Sequence, residues 1–357
     1  MTAEGDRAGP RRYDVIVGTG GIGSGISLRL EGDHLLGREE SRPVSLLDAR
    51  DYCKLHIVFH YLRVLVGDRA RVLAVGKVGD DAAGSQLLEE MQQIGLDLSH
   101  VTVVPNRDTL YSVAFSYPNG EGGNLTTVRS ASNDVTSADI LATQAELAPL
   151  AGRGMVVALP EVPLATRLEL LRMGGELSFL RVATFVSSEA AAVLASGMLT
   201  DIDLLVLNAD EAAAFTVGND RSGAAGSGAD GSGADLARHS IELLLALNDR
   251  LSIVITAGVS GSWSWNGETT KHAPAILAPV RSTAGAGDAH LAGILSGLTL
   301  GASLHEANRF ASLISSMKVG SPHTINPEIA WATVRSTAAE IGFPLPAGSA
   351  WRRNGDQ

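Results

Sequence analysis

The sequence predicts an α/β protein: a central, mostly parallel sheet with helices on both faces. Three observations carry this. From Asp139 to about Ser260, strand-like runs (Met155–Leu159, Leu180–Val186, Leu204–Leu207 and Ile253–Thr256) alternate with helix-like ones, the pattern of parallel strands joined by crossover helices. Arg71–Val75 runs through Gly76-Lys77-Val78-Gly79-Asp80-Asp81 into helical spacing, so a strand turns into a helix there. Ala275–Val280 reads as a strand that meets the small residues Ser282–Ala289, and apolar residues at helical spacing follow (Leu291, Ile294, Leu295, Leu298).

Taken in order, residues 1–12 are polar and read as a flexible tail, with no apolar core of a signal peptide. Tyr13–Val17 is a short strand running into Gly18-Thr19-Gly20-Gly21-Ile22-Gly23, which fits G-x-G-x-x-G. That string, with Asp48 further on, is the signal for a dinucleotide-dependent oxidoreductase. Against it, Gly25, Gly32 and Gly37 interrupt the stretch where a crossover helix would have to follow. Cys53–Gly67 has helical spacing, and His56 and His60 stand four apart in it, a spacing that suits a metal pair but lacks an evident third ligand. Ser85–Ile94 predicts a helix closed by Gly95, with Asp80 and Asp81 as turn residues before it. Thr109–Tyr117, a turn over Pro118–Asn124, and Leu125–Val128 form a hairpin signature. Residues 218–235, rich in Gly, Ala, Ser and Asp, read as a flexible loop. Trp263 and Trp265 alternate on a strand and read as packing residues; Glu306–Lys318 is a helix, a terminal helix follows Pro327, and 344–357 is a tail.

Composition narrows the function classes. Hydrophobic residues make up 45% of the 357, enough for a large core, and the net charge of -11 disfavours nucleic acid as a partner. The single cysteine, Cys53, permits no internal disulfide and fits a reducing compartment. No apolar run approaches the ~20 residues that span a bilayer. The expectation is a soluble, cytoplasmic enzyme or binding protein for a small molecule, with no membrane partner.

The chemistry concentrates at Gly285-Ala286-Gly287-Asp288. A helix start leaves backbone N–H groups unpaired and carries partial positive charge, which makes it an anion site, and glycines let the anion approach. A carboxylate placed there repels the anion unless it has a task, such as accepting the proton of a hydroxyl that attacks a bound phosphate. Asp288 as a plain helix cap is the other reading of the same residue.

The stretch Ser282–Ala289 resembles the C-terminal signature of the PfkB (ribokinase-like) carbohydrate kinase family, D-T-x-G-A-G-D. Further motifs follow in the family's order: Gly76–Gly84 resembles G-x-V-G-x-D-x-x-G, Asn208-Ala209-Asp210-Glu211 matches N-x-x-E, and Thr256–Gly261 resembles T-x-G-x-x-G. The resemblance implies a single ribokinase-like domain over 13–335, three layers α/β/α, with a small β-rich lid from segments near 28–47 and 109–129. It implies transfer of the γ-phosphate of ATP to a hydroxyl of a sugar, cyclitol, aminosugar or nucleoside. Asp288 would be the base, and Gly285, Ala286 and Gly287 the anion hole. Asn208 and Glu211 would hold Mg²⁺ through water, and Thr256, Gly258, Gly261 and Ser312 would border the nucleotide. Lid strands of relatives often pair between subunits, which makes a homodimer an expectation.

On the acceptor side the chain departs from the family. The aspartate common after the first strand is absent, with Ser24 and Ser27 nearby, and Cys-Lys-Leu-His-Ile-Val at 53–58 replaces G-G-x-x-x-N. Ser24, Lys54, His56, Arg129 and Asn133 are the candidates for acceptor contacts. Ser282 replaces the first Asp of D-T-x-G-A-G-D, a region that helps form a monovalent-cation site in relatives, so K⁺ activation is left open; His290 replaces the usual Phe. These departures also motivate a third reading, a kinase-like protein that binds ligand without turnover.

Overall fold

The computed structural model describes residues 13–119, 122–216 and 233–346. Both predicted tails, save residues 344–346, therefore lie outside the described residues. So does the stretch 218–235 up to residue 232; Gly233, Ala234 and Asp235 open a helix.

The strands are β1 Val15–Thr19, β2 Gly23–Leu30, β3 Val44–Tyr52, β4 Arg71–Gly79, β5 Asp97–Val104, β6 Leu110–Ser116 and β7 Gly122–Thr126, then β8 Gly154–Ala158, β9 Leu180–Ala183, β10 Leu204–Asn208, β11 Ser252–Thr256, β12 Ser262–Trp265 and β13 Thr270–Ala273. The helices are α1 Lys54–Val66, α2 Ala82–Gln93, α3 Ser137–Leu141, α4 Gln144–Leu147, α5 Leu164–Glu176 and α6 Ala190–Ser196, then α7 Ala209–Thr216, α8 Gly233–Leu247, α9 Ala286–Thr299, α10 Leu304–Val319 and α11 Trp331–Glu340.

Nine strands form the main sheet in the order β13-β12-β11-β10-β9-β8-β1-β4-β5, parallel from β5 through β11, with β12 and β13 antiparallel at one edge. The central strands β1, β8, β10 and β11 are nearly continuous apolar runs because both faces are covered. Alternate residues enter different cores: Ile16, Met155, Val157 and Val254 pack with α1, α9 and α10, whereas Val15, Val17, Val156 and Ile253 pack with α5, α7 and α8. This is a three-layer α/β/α arrangement.

Four strands form a second sheet, β3-β2-β6-β7, in which only β2 and β6 are parallel. It decides the fate of Gly18–Gly23. The chain leaves β1 and enters β2 rather than a helix, so the string does not open the crossover helix that a dinucleotide fingerprint requires. The dinucleotide geometry expected of that string is absent.

Two boundaries are corrected. Ala275–Val280 is not a strand: Pro274 and Pro279 have no N–H for a ladder, and Leu277 and Val280 are exposed. The helix expected from Ser85 begins at Ala82, because Asp81 caps it by accepting from the Gly84 N–H at 2.7 Å.

Candidate active site

The carboxyl ends of the parallel strands share one side of the sheet, where open α/β sheets bind ligands. The start of α9 comes to this side. Gly285 is its cap residue with φ 77°, a left-handed conformation. A methyl group there would also meet the Thr324 carbonyl oxygen at 2.7 Å. The Ala286 N–H donates to the Thr283 carbonyl at 3.0 Å, so of the expected anion hole this donor is engaged within the turn. Among the described residues, the N–H groups of Gly287 and Asp288 have no protein acceptor. A Cβ on Gly287 would meet nothing within 4 Å, so the first turn of α9 is not packed over at this position. His290, one turn on, is buried between α9 and α10, with Nε2 2.9 Å from Asn308 Oδ1, and so serves packing where the family's Phe would.

Asp288 lines a cavity of about 540 Å³ with Lys54, Asp51, Glu161, Arg281 and Thr324. Lys54 Nζ donates to Asp288 Oδ1 at 3.5 Å, and the charge of Asp288 holds this ammonium above its ordinary range. Glu161 follows β8 with φ 76° and accepts the Lys54 N–H at 3.0 Å, a carboxylate at the start of α1. Burial pushes its carboxyl up to about 7 despite Lys54, with Asp288 and Asp51 adding repulsion. Asp51 is buried at the end of β3, bonded to Ser112 Oγ at 3.1 Å and to Thr324 Oγ1, and burial raises it too. The second sheet contributes Ser27, Ser116, Tyr117 and Asn124 to the same wall.

None of the expected nucleotide-side residues is in the lining of this cavity. Asn208 and Thr256 are in register at the ends of β10 and β11. Asn208 Oδ1 accepts the Glu211 N–H at 2.8 Å and Glu211 Oε2 accepts the Asn208 N–H at 2.9 Å, a capping box at the start of α7. Glu211 is also within electrostatic reach of Lys54 and Asp288, and burial raises its carboxyl. Gly258 (φ 52°) and Gly261 (φ 87°) shape the turn after β11. Ser312 is buried on α10 with its hydroxyl on the Asn308 carbonyl. Trp263 stacks on His272, a packing contact.

On the acceptor side the structure brings Lys54 to the cavity and leaves the other four candidates away from it. His56 is two residues from Lys54, about 200° round the helix. It lines a separate cavity with Tyr52, His60, Glu90 and His323. Burial holds His56 and His60 neutral, at about 3 and about 4. No group of three metal-ligating residues forms among the described residues. Asn133 is engaged by the Ser130 N–H at 3.1 Å, Arg129 is exposed past β7, and Ser24 pairs with Tyr52 and Tyr111 inside the second sheet. Asp51, Glu161 and Thr324 were not singled out from the sequence. Only Glu161 had a local signal, an acid directly after an apolar run and before Pro163.

The sequence model for pfkB family carbohydrate kinases matches residues 58–331. The chain belongs to this family. It is a phosphotransferase that acts on a hydroxyl group. Solved structures share the fold: the ribokinase of Giardia lamblia (TM-score 0.74, 16% identity, covering 92% of this chain and 99% of that one) and the ribokinase of Cryptococcus neoformans var. grubii in complex with ADP (0.73, 18%, 91% and 99%). The Burkholderia thailandensis nucleoside kinase in complex with inosine is similar as well (0.70, 16%, 93% and 100%). Among the described residues no helix is long and apolar enough to cross a membrane.

The family implies a divalent cation with the nucleotide, and the residues present fit one. The capping box engages only Oε2 of Glu211, which leaves Oε1 for a water of the ion's shell, and the Asp288 carboxylate is within electrostatic reach. A hydrated Mg²⁺ held through its water shell needs no cluster of direct ligands.

Proposed function

We propose that this pfkB-family kinase transfers the γ-phosphate of ATP to a hydroxyl of a polyhydroxylated acceptor, a sugar, cyclitol, aminosugar or nucleoside, with Asp288 as the base. The observation that carries this is the placement of the Asp288 carboxylate in the first turn of α9, facing a cavity large enough for a small metabolite, beside two backbone donors without protein acceptors. Asp288 takes the proton of the attacking hydroxyl. The N–H groups of Gly287 and Asp288 stabilise charge on the transferring phosphoryl group, which a fixed array of donors does without reorganising. Asp51, buried, and Glu161, half-buried, stand in the acceptor wall and accept hydrogen bonds from acceptor hydroxyls. Lys54 faces the negative charge that gathers as nucleotide and acceptor meet. The second sheet acts as a lid that excludes water from the reacting groups.

The nucleotide lies along the ends of β10 and β11, against Thr256, Gly258 and Gly261. Asn208 and Glu211 would hold Mg²⁺ there through its water shell, and the ion would supply charge neutralisation of the phosphates. The ADP-bound ribokinase of the same fold supports ATP as donor, and the inosine-bound nucleoside kinase supports a hydroxylated small molecule as acceptor.

An ATP-consumption screen over sugars, cyclitols and nucleosides tests the reading. Turnover with one acceptor class is expected. ATP consumption with none of them, together with thermal protection by a nicotinamide or flavin, would overturn it.

A further inference from the structure

Lys318 stands in the last turn of α10 with its side chain fully buried (0% exposed). Taking an ammonium out of water is costly unless it is well paired, and an apolar side chain of similar length would fill the volume without that cost. The ammonium donates to the Ser282 carbonyl at 3.1 Å. Ser282 belongs to the stretch Arg281–Gly285, which lies in no strand or helix and leads straight into the open donors of α9. The end of α10 holds this stretch from below. The Arg281 and Ser282 N–H groups both donate to the Val319 carbonyl, at 2.8 and 3.3 Å, and Thr324 closes against Gly285.

The family resemblance implies a monovalent cation in this region, and the residues present do not fit one. A serine stands where a carboxylate would attract it, and a loop carbonyl already faces a covalently fixed positive charge that repels a second.

We propose that the Lys318 ammonium is the resident cation of the phosphate loop. It is a positioning residue that fixes Ser282–Gly285 through a peptide oxygen, so that phosphate binding needs no added monovalent ion. The inference rests on the reading of Gly287 and Asp288 as phosphate donors.

The test is calorimetric binding of ADP with Mg²⁺ in potassium chloride and in tetramethylammonium chloride, both at about 0.1 M ionic strength. The wild-type protein binds ADP equally in both salts. Lys318→Ala loosens the loop and weakens ADP by about tenfold, the scale of one lost hydrogen bond to a charged group. Ammonium or potassium ions, which fit the vacated space, restore it, and tetramethylammonium does not. Lys318→Met refills the space without charge and is not rescued. Wild-type binding that depends on potassium overturns the proposal, as does Lys318→Ala with undiminished affinity or with a loss that neither ion repairs. If neither variant folds, the wild-type salt comparison decides alone. No ADP binding by the wild type in any salt refutes the phosphate-loop reading itself, an outcome distinct from a potassium requirement.

Discussion

One methyl group added at two neighbouring glycines separates the architecture of the α9 turn from its proposed task. At Gly285 an alanine must adopt φ 77°, which costs about 1–2 kcal/mol for an L-residue. Its Cβ would also sit 2.7 Å from the Thr324 carbonyl oxygen and 2.9 Å from Thr324 Cγ2, and overpacking of that kind costs about 1–3 kcal/mol. Gly285→Ala should therefore lose about 2–5 kcal/mol, a fall in Tm of about 4–10 °C at roughly 2 °C per kcal/mol. At Gly287 the added Cβ meets nothing within 4 Å and the backbone is helical, so Gly287→Ala gains up to about 1 kcal/mol of helix propensity. On the proposed reading a phosphate held by the Gly287 and Asp288 N–H groups packs against this turn, and the added methyl crowds it. Losing one hydrogen bond to a charged group costs about 1.5–3 kcal/mol, roughly 10- to 150-fold in ADP affinity. Differential scanning fluorimetry and calorimetric titration with Mg²⁺-ADP read the two effects separately. Stability and affinity should move in opposite directions for Gly287→Ala. A Gly287→Ala protein that binds ADP like the wild type would refute the assignment of these amides to phosphate.

Glu161 is raised by burial to about 7 from an ordinary 4.5, so its contribution to stability is fully present below about 4.5 and is lost as pH rises to about 7. Glu161→Gln should gain on the wild type over that window, by on the order of 3 kcal/mol; chemical denaturation showing a pH-independent difference would argue against a buried charge. Glu211→Gln keeps the cap on the Asn208 N–H, so Tm should hold while the Mg²⁺ midpoint for turnover rises by roughly tenfold; an unchanged titration removes Glu211 from the metal's shell. His56 and His60 are depressed by burial, so the stability that they contribute is present above about 6.5 and lost as pH falls towards 3. The double variant His56→Gln, His60→Gln should unfold in acid less steeply than the wild type, and an identical acid transition would count against buried neutral imidazoles.

The fold was legible where chemistry is local. Ile253–Thr256 and Leu204–Leu207 are apolar runs that only a doubly covered strand needs, and Gly285 and Gly287 mark the turn that opens a helix. Legibility failed where three-dimensional closure decides. Ala275–Val280 has the composition of a strand, yet Pro274 before it and Pro279 within it deny it a ladder. Lys54 and His56 are close in sequence and face opposite ways because a helix turns 100° per residue. Asp51, Glu161 and Thr324 come from three distant segments, so nothing in their spacing announces that they meet. Asn133 lies in the expected loop, and the structure engages its side chain in capping that loop.

Steady-state turnover of Asp288→Asn tests the role of this carboxylate most directly, with the acceptor found by the ATP-consumption screen and with ADP affinity measured on the same protein. Positioned proton transfer contributes about 10²–10⁴-fold, so turnover should fall by that much while ADP binds much as in the wild type. Undiminished turnover in Asp288→Asn would contradict the mechanism.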